Sequence, residues 1–267
     1  MDTPFCACTI AGSDSGGGAG IQADLATFAA FGVWGTSTIT AVTAQNPGGV
    51  RGSWPLPPEA VAVQIEAVTA GFRVGAFKTG MLADASGIRA VAASLPAGVP
   101  VVVDPVMVAT SGTRLLSEDA VEVLLGELIP GAAVVTPNLP EAAVLTGVEI
   151  DGPETMREAG RSLLAMGAGA VVVKGGHLPG EPADLLMDRD GEVLLTGQRH
   201  PYAVHGTGCC FSAALAASLA RGMSVREAFV ETKGFIDGAI VHAVPDLAGR
   251  RSVNPLWRCG MGEEWSG

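Results

Sequence analysis

The stretch His205-Gly206-Thr207-Gly208-Cys209-Cys210 runs straight into Phe211-Ser212-Ala213-Ala214-Leu215-Ala216-Ala217-Ser218-Leu219-Ala220. The first part is backbone-permissive and the second is a strong helical pattern. Glycine lets the chain turn sharply and approach a ligand, and the first turn of a helix leaves N–H groups without intrahelical partners. Those donors, at the positive end of the helix dipole, suit a phosphate or a charge developing on one. We therefore expect the amides of Gly206, Thr207 and Gly208 to form an oxyanion niche. Cys209 falls where a helix N-terminus favours a thiolate, and so is a possible proton acceptor. The same residues would also cap an ordinary Ala-rich helix, so the surrounding chain has to decide between the two.

Outward from this stretch, short apolar runs alternate with helical patterns along the whole chain. Strands are expected at 5–11, 36–42, 75–78, 99–103, 132–136 and 170–174, with a hairpin at 183–188 and 192–197 around Arg189-Asp190-Gly191. Helices are expected at 20–31, 58–71, 85–94, 118–128, 139–145, 154–166, 208–220 and 225–244. Strands that are apolar throughout and separated by helices imply an α/β fold, with a mainly parallel sheet covered on both faces. Ligands then belong at the carboxyl ends of the strands. No linker, repeat or low-complexity tract divides the 267 residues, so a single domain is expected; the tail after Pro245 shows no clear period.

Composition narrows the partners. Hydrophobic residues make up 48% of the chain and charged residues 16%, which argues against disorder. The formal net charge of -11 argues against a nucleic-acid groove or an anionic membrane surface, since both need a basic footprint. An anionic substrate would need local help from amides, a metal ion and a few placed lysines. Five cysteines, with neither Cys6-Ala7-Cys8 nor Cys209-Cys210 at zinc-ribbon spacing, read as reduced thiols. With no signal-peptide pattern and no long apolar run, a cytoplasmic location is expected.

The loops after the strands carry the chemistry. Ala11-Gly12-Ser13-Asp14-Ser15-Gly16-Gly17-Gly18-Ala19-Gly20 follows the first strand and enters a helix, without being a Walker A loop or a dinucleotide fingerprint. Asp24, on that helix, would face solvent as an isolated acid or point back into the crevice. Gln45, before Asn46-Pro47, offers a donor and an acceptor to a nitrogen heterocycle, or is simply a turn residue. Asp104, in Val103-Asp104-Pro105-Val106-Met107, and Glu141, in Thr136-Pro137-Asn138-Leu139-Pro140-Glu141, could hold Mg²⁺ through water. Asp104 could equally cap a turn. Lys174, in Val173-Lys174-Gly175-Gly176-His177, could neutralise phosphate oxygens, and His177 could contact a nucleotide or be structural.

In combination these motifs are far more specific. From Thr9-Ile10-Ala11-Gly12 through Thr43-Ala44-Gln45-Asn46, Lys78-Thr79-Gly80-Met81-Leu82, the Asp104, Asn138 and Lys174 motifs and His205-Gly206-Thr207-Gly208-Cys209, the sequence resembles the hydroxymethylpyrimidine/phosphomethylpyrimidine kinases of thiamine biosynthesis. The resemblance extends to about Ala243. It implies a three-layer α/β/α ribokinase-like fold, ATP and Mg²⁺ as cofactors, an aminopyrimidine alcohol and its monophosphate as substrates, and a homodimer.

It also implies roles residue by residue. Gly12, Asp24, Gln45 and Met81 would line the aminopyrimidine pocket. Asn138, Lys174, His177 and Thr207 would contact the nucleotide, with Asp104 and Glu141 in the metal-phosphate region. Cys209 would occupy the position of the wider group's catalytic aspartate. Cys210 replaces a more usual hydroxyl residue, and the tail lacks the family's usual Gly-rich, His-containing ending. A pyridoxal or related vitamin kinase on the same scaffold is the alternative, since a flat hydroxymethyl heterocycle poses the same binding problem; a pyrimidine-binding sensor without turnover is a third reading.

Overall fold

Side chains that alternate between two apolar surroundings hold together a nine-stranded sheet. In the computed structural model, which describes residues 4–108, 112, 115–176, 178 and 181–260, the strands in chain order are β1 (Cys6–Asp14), β2 (Trp34–Asn46), β3 (Gly49–Pro55), β4 (Ala76–Thr79), β5 (Val101–Val103), β6 (Val134–Val135), β7 (Ala170–Gly175), β8 (Ala183–Asp188) and β9 (Gly191–Thr196). Their spatial order is β3-β2-β1-β4-β5-β6-β7-β8-β9. Pairing is parallel from β2 to β7, while β3 and the β8–β9 hairpin join antiparallel at the two edges.

Helices cover both faces. On one lie α2 (Pro58–Gly71), α3 (Ala85–Ser94), α4 (Glu118–Val123), α5 (Leu139–Thr146) and α6 (Pro153–Ala165); on the other lie α1 (Gly20–Ala30), α7 (Thr207–Ala220) and α8 (Val225–Val241). The period of two is visible strand by strand. Val101 and Val103 face the first layer and Val102 the second; Val171 and Val173 face the first and Val172 the second. The α/β class and the three layers read from the sequence are borne out. Among the described residues no helix is long and apolar enough to cross a membrane.

α7 is buried on nearly every side, from Cys210 through Ser218, because its alanines let it lie close against the sheet. This places its N-terminus at the carboxyl ends of the parallel strands, where the anion niche is expected.

Three expectations are corrected. The second strand runs on to Asn46 and turns back as β3, a strand the sequence does not signal because Gly49, Gly52 and Pro55 dilute it. The helix expected over 118–128 is regular only to Val123 and continues as a π turn, Leu124–Leu128; α8 likewise stops at Val241 rather than 244. The tail after Pro245, for which the sequence shows no period, carries structure over residues 251–259. Two-residue strands β10 (Val204–His205), β11 (Val244–Pro245) and β12 (Arg251–Ser252) form a second sheet with β12 in the middle. Beyond it Trp257 fills a notch at Gly238 and stacks on His242 at 5.4 Å. Pairs this short leave no periodicity to read.

Candidate active site

Asp14, the last residue of β1, organises the first loop. Its carboxylate accepts from the N–H groups of Gly16 (2.8 Å) and Ala19 (2.9 Å), and its own N–H donates to Gln22 Oε1 (2.9 Å). Burial works to raise the Asp14 carboxyl, but the bond to His205 and the two amides outweigh it and hold it below its ordinary value. His205 Nε2 lies 3.1 Å from Asp14 Oδ2 and 3.4 Å from Gln45 Nε2. One imidazole thus joins the first loop, the end of β2 and the turn into α7. Immediately after it Gly206 sits at φ 84, a left-handed conformation that suits glycine, with its Cα packed against the Gly18 carbonyl.

Beside the first loop, Gly12 and Met81 meet: a Cβ at position 12 would lie 3.1 Å from Met81 Cε. The Met81 carbonyl is fixed by Thr40 Oγ1 at 2.6 Å. Asp24 stands beneath them, and neither solvent nor an open pocket wall describes it. It is 0% exposed, accepting from Lys78 Nζ at 2.8 Å and Thr9 Oγ1 at 2.6 Å, while its Oδ1 has no protein partner. Burial pushes the Asp24 carboxyl up, with Lys78 and Thr9 pulling back. Burial also opposes the charge on Lys78, yet the Asp24 carboxylate beside it, with Asp104, holds its ammonium above the usual lysine range.

Lys78 is the residue that sequence reasoning passed over except as part of a motif. Its signal was a lysine inside the otherwise apolar strand β4, where a buried cation must have a partner.

A second ion pair lies beside the start of α7. Asp104, just past β5, accepts from Lys174 Nζ at 2.9 Å and from Ser212 Oγ, one turn into α7, at 3.1 Å; Thr136 Oγ1 lies 3.3 Å away. Burial would raise the Asp104 carboxyl, but Lys174 and Lys78 hold it below the normal range. Lys174, the penultimate residue of β7, bridges to Asn138, and a Cβ at Gly208 would lie 3.2 Å from its Nζ. The lysine therefore reaches the start of α7. Asn138 and Glu141 form a capping box on α5, each accepting the other's backbone N–H at 2.9 and 2.8 Å respectively. Burial, only partly countered by Lys174, lifts the Glu141 carboxyl to about 7. His177 lies outside the described residues.

Cys209 requires a correction. The helix N-terminus was expected to favour its thiolate, but burial dominates: despite Lys78 and the Gly20 N–H, the thiol is pushed up to about 11. At neutral pH the thiol therefore carries its proton. All the cysteines among the described residues are free thiols, as the sequence led us to expect.

The start of α7 is thus flanked by Lys174 and the acids Asp104 and Glu141, and is joined through His205 to Gln45 and the first loop. The profile of the phosphomethylpyrimidine kinase family matches residues 14–254. The chain belongs to the phosphomethylpyrimidine kinase family. Relatives within it include the hydroxymethylpyrimidine/phosphomethylpyrimidine kinases of Streptomyces coelicolor, 46% identical over 97% of both chains, and of Rhizobium meliloti, 51% identical over 88% of this chain and 90% of the other. Among solved structures, phosphomethylpyrimidine kinase of Clostridium difficile 630 superposes with a TM-score of 0.78 at 40% identity, covering 88% of this chain and 99% of that one. A Bacillus subtilis pyridoxal kinase, solved as an ADP complex, gives a TM-score of 0.87 at 37% identity, covering 95% and 98%. The fold of this family is thus shared with pyridoxal kinases, and the ribokinase-like expectation holds.

Proposed function

We propose that this enzyme transfers the γ-phosphoryl group of ATP to the 5-hydroxymethyl oxygen of 4-amino-5-hydroxymethyl-2-methylpyrimidine and, in a second turnover, to the resulting monophosphate. The observation that carries this reading is the reach of Lys174 to the Gly208 turn, while His205 ties Gln45 to the same turn. Phosphoryl donor and heterocycle can therefore be held face to face at one helix terminus. The relatives' names favour the pyrimidine over pyridoxal.

In this mechanism the substrate oxygen attacks the γ-phosphorus in line as the bond to the β–γ bridging oxygen breaks. The transition state is loose, so positioning and charge stabilisation dominate. The amides of Gly206, Thr207, Gly208 and Cys209, with Lys174, receive the transferring group. Gly12, Gln45 and Met81 orient the ring, while Asp24, wholly buried against Lys78 and Thr9, presents no wall to it. Asn138 and Thr207 belong to the nucleotide side. Cys209 is the acceptor of the hydroxyl proton in this reading only through the small ionised fraction of a thiol held up to about 11, whereas the monophosphate is already an anion and needs no base.

Mg²⁺ fits the donors present. Among the described residues no group of three or more acidic, thiol or imidazole side chains gathers as a protein cage. A cation that keeps water and phosphate oxygens needs only one or two carboxylates, and Asp104 and Glu141 would supply them. Bound there, it would neutralise charge on the phosphates. We extend the reading to a single-domain cytoplasmic enzyme assembled as a homodimer, which sedimentation would test.

The deciding experiment is product analysis with the pyrimidine alcohol and its monophosphate, run with ATP and Mg²⁺ and without each, beside pyridoxal. Mono- and diphosphate products that require both ATP and Mg²⁺ are expected. Faster turnover of pyridoxal would replace the reading, and tight pyrimidine binding with no ADP released would make the protein a sensor.

A further inference from the structure

Asp184, on β8, takes no part in the transfer described above, yet it stands directly opposite Lys174 on β7. Val172 and Leu186 face the layer of α7 and α8, so alternation turns Lys174 and Asp184 towards that same layer. There they bind different partners. Lys174 Nζ meets Asp104 Oδ1 at 2.9 Å, whereas Asp184 Oδ2 accepts from Lys233 Nζ, on α8, also at 2.9 Å. Asp184 and Lys233 are both buried. A buried ion pair is weak evidence for stability, because well-packed apolar residues of similar volume often do as well or better.

The second oxygen of Asp184 is more informative. Its Oδ1 accepts from the backbone N–H of Gly175, the residue after Lys174, at 3.0 Å. The N–H of Lys174 itself donates to the Pro137 carbonyl, just past β6, at 2.8 Å. The two amides that flank the Lys174 Cα are thus held from opposite sides of the strand, one by a carbonyl and the other by a carboxylate. Gly175 accepts this fit because a Cβ there would run into the Ala183 carbonyl, and β7 ends with it as its own carbonyl accepts from the Leu178 N–H at 2.9 Å. Lys233 in turn fixes the carboxylate. Its ammonium is covered by Gly197, just past β9, where a Cβ would lie 2.6 Å from Nζ, and Asp237, one turn along α8, lies 3.9 Å away.

We propose that Asp184 is a positioning residue for the nucleotide phosphates: clamped by Lys233, its carboxylate holds the Gly175 amide and so sets where the end of β7 presents the Lys174 ammonium. The inference rests on the reading above that Lys174 receives the phosphates of ATP. Its effect on nucleotide binding can be measured without any turnover.

The test is calorimetric titration with the non-hydrolysable β,γ-methylene analogue of ATP and Mg²⁺. Two double variants both lack the ion pair: Asp184→Asn with Lys233→Met keeps an amide oxygen for the Gly175 N–H, and Asp184→Leu with Lys233→Met offers none. The first should bind within about threefold of the parent and the second roughly tenfold more weakly than the first, as loss of a buried hydrogen bond does. Added to Lys174→Met, the second pair of changes should weaken binding by no more than about a further twofold, because the lysine it positions is gone. A purely structural ion pair would make the two double variants alike, and a general loosening of the fold would add its full factor on top of Lys174→Met. Either result would overturn the proposal, as would an equal loss of pyrimidine affinity. Analogue binding unmoved by Lys174→Met alone would overturn it too, since the lysine would then not hold the phosphates. If Asp184→Leu does not fold, Asp184→Ala in the same background takes its place with the same expectations. Absence of pyrimidine phosphorylation by the unmodified enzyme would sink the proposed function, while the order of the analogue affinities would still decide the role of Asp184.

Discussion

Asp104 Oδ1 lies 2.9 Å from Lys174 Nζ, and Ser212, one turn into α7, holds the other carboxylate oxygen at 3.1 Å. This pairing fixes the lysine between two strand ends and the helix that opens the anion niche. An aimed lysine differs from a free one in that little of its ordering has to occur when the phosphate arrives. Lys174→Met should therefore lower kcat/KM for ATP by on the order of 10²-fold or more, as loss of a preorganised donor does. Pyrimidine binding by calorimetry should change by no more than about twofold; an equal loss on both sides would mean that the lysine acts through the fold.

The backbone of the niche is as constrained as its side chains. Gly206→Ala puts a Cβ at φ 84 against the Gly18 carbonyl. The left-handed conformation alone costs about 1–2 kcal/mol for a residue with a side chain, and the first loop has to shift as well. We expect a measurable loss in urea denaturation together with at least a tenfold fall in kcat. A stable variant with unchanged kcat would show that the niche does not depend on this turn.

The Cys209 thiol, held up to about 11, sets a pH dependence. Thiolate is the reactive form, so alkylation in a Cys259→Ser background should climb steadily through about pH 8 to 10 without a plateau. A plateau near neutrality would reveal an already ionised sulfur. Cys209→Ala should damage phosphorylation of the alcohol more than that of the monophosphate, and equal damage would remove the base role.

Asp14 gives the opposite dependence. A carboxyl held below its unfolded value of 3.8 contributes stability that is present above that pH and is lost as pH falls through the folded value. Asp14→Asn should cost roughly 1–3 kcal/mol at neutral pH through the His205, Gly16 and Ala19 bonds. The gap between the two proteins should shrink as denaturation is repeated below about pH 3.8. A gap that stays constant would mean the bonds do not need the charge.

How legible all this was depended on range in the sequence. Val101 to Val103 and the alanines of α7 announce buried strand and buried helix from neighbours alone, and the glycines at 206 and 208 announce the turn. Asp24 misleads because its partner stands in a different strand, far along the chain; a helical acid looks solvated until Lys78 is seen opposite it. For Cys209, local sequence displays the helix terminus but not the burial that outweighs it. Glu141 showed its helix cap plainly in Asn138-Leu139-Pro140-Glu141, while the pressure that raises its carboxyl comes from the folded surroundings. β12 could not be read at all, since a two-residue strand exists only by virtue of what it lies beside.

That short strand has a consequence for how the protein comes into being. β12 pairs with β10 directly ahead of the niche, and Ser252 packs against Gly18 and His205. During translation the earlier segments can assemble their sheet, but the loop between them has no backing until residue 252 has left the ribosome. The catalytic centre is therefore among the last parts to set, and a nascent chain stalled before that point would be largely folded yet idle.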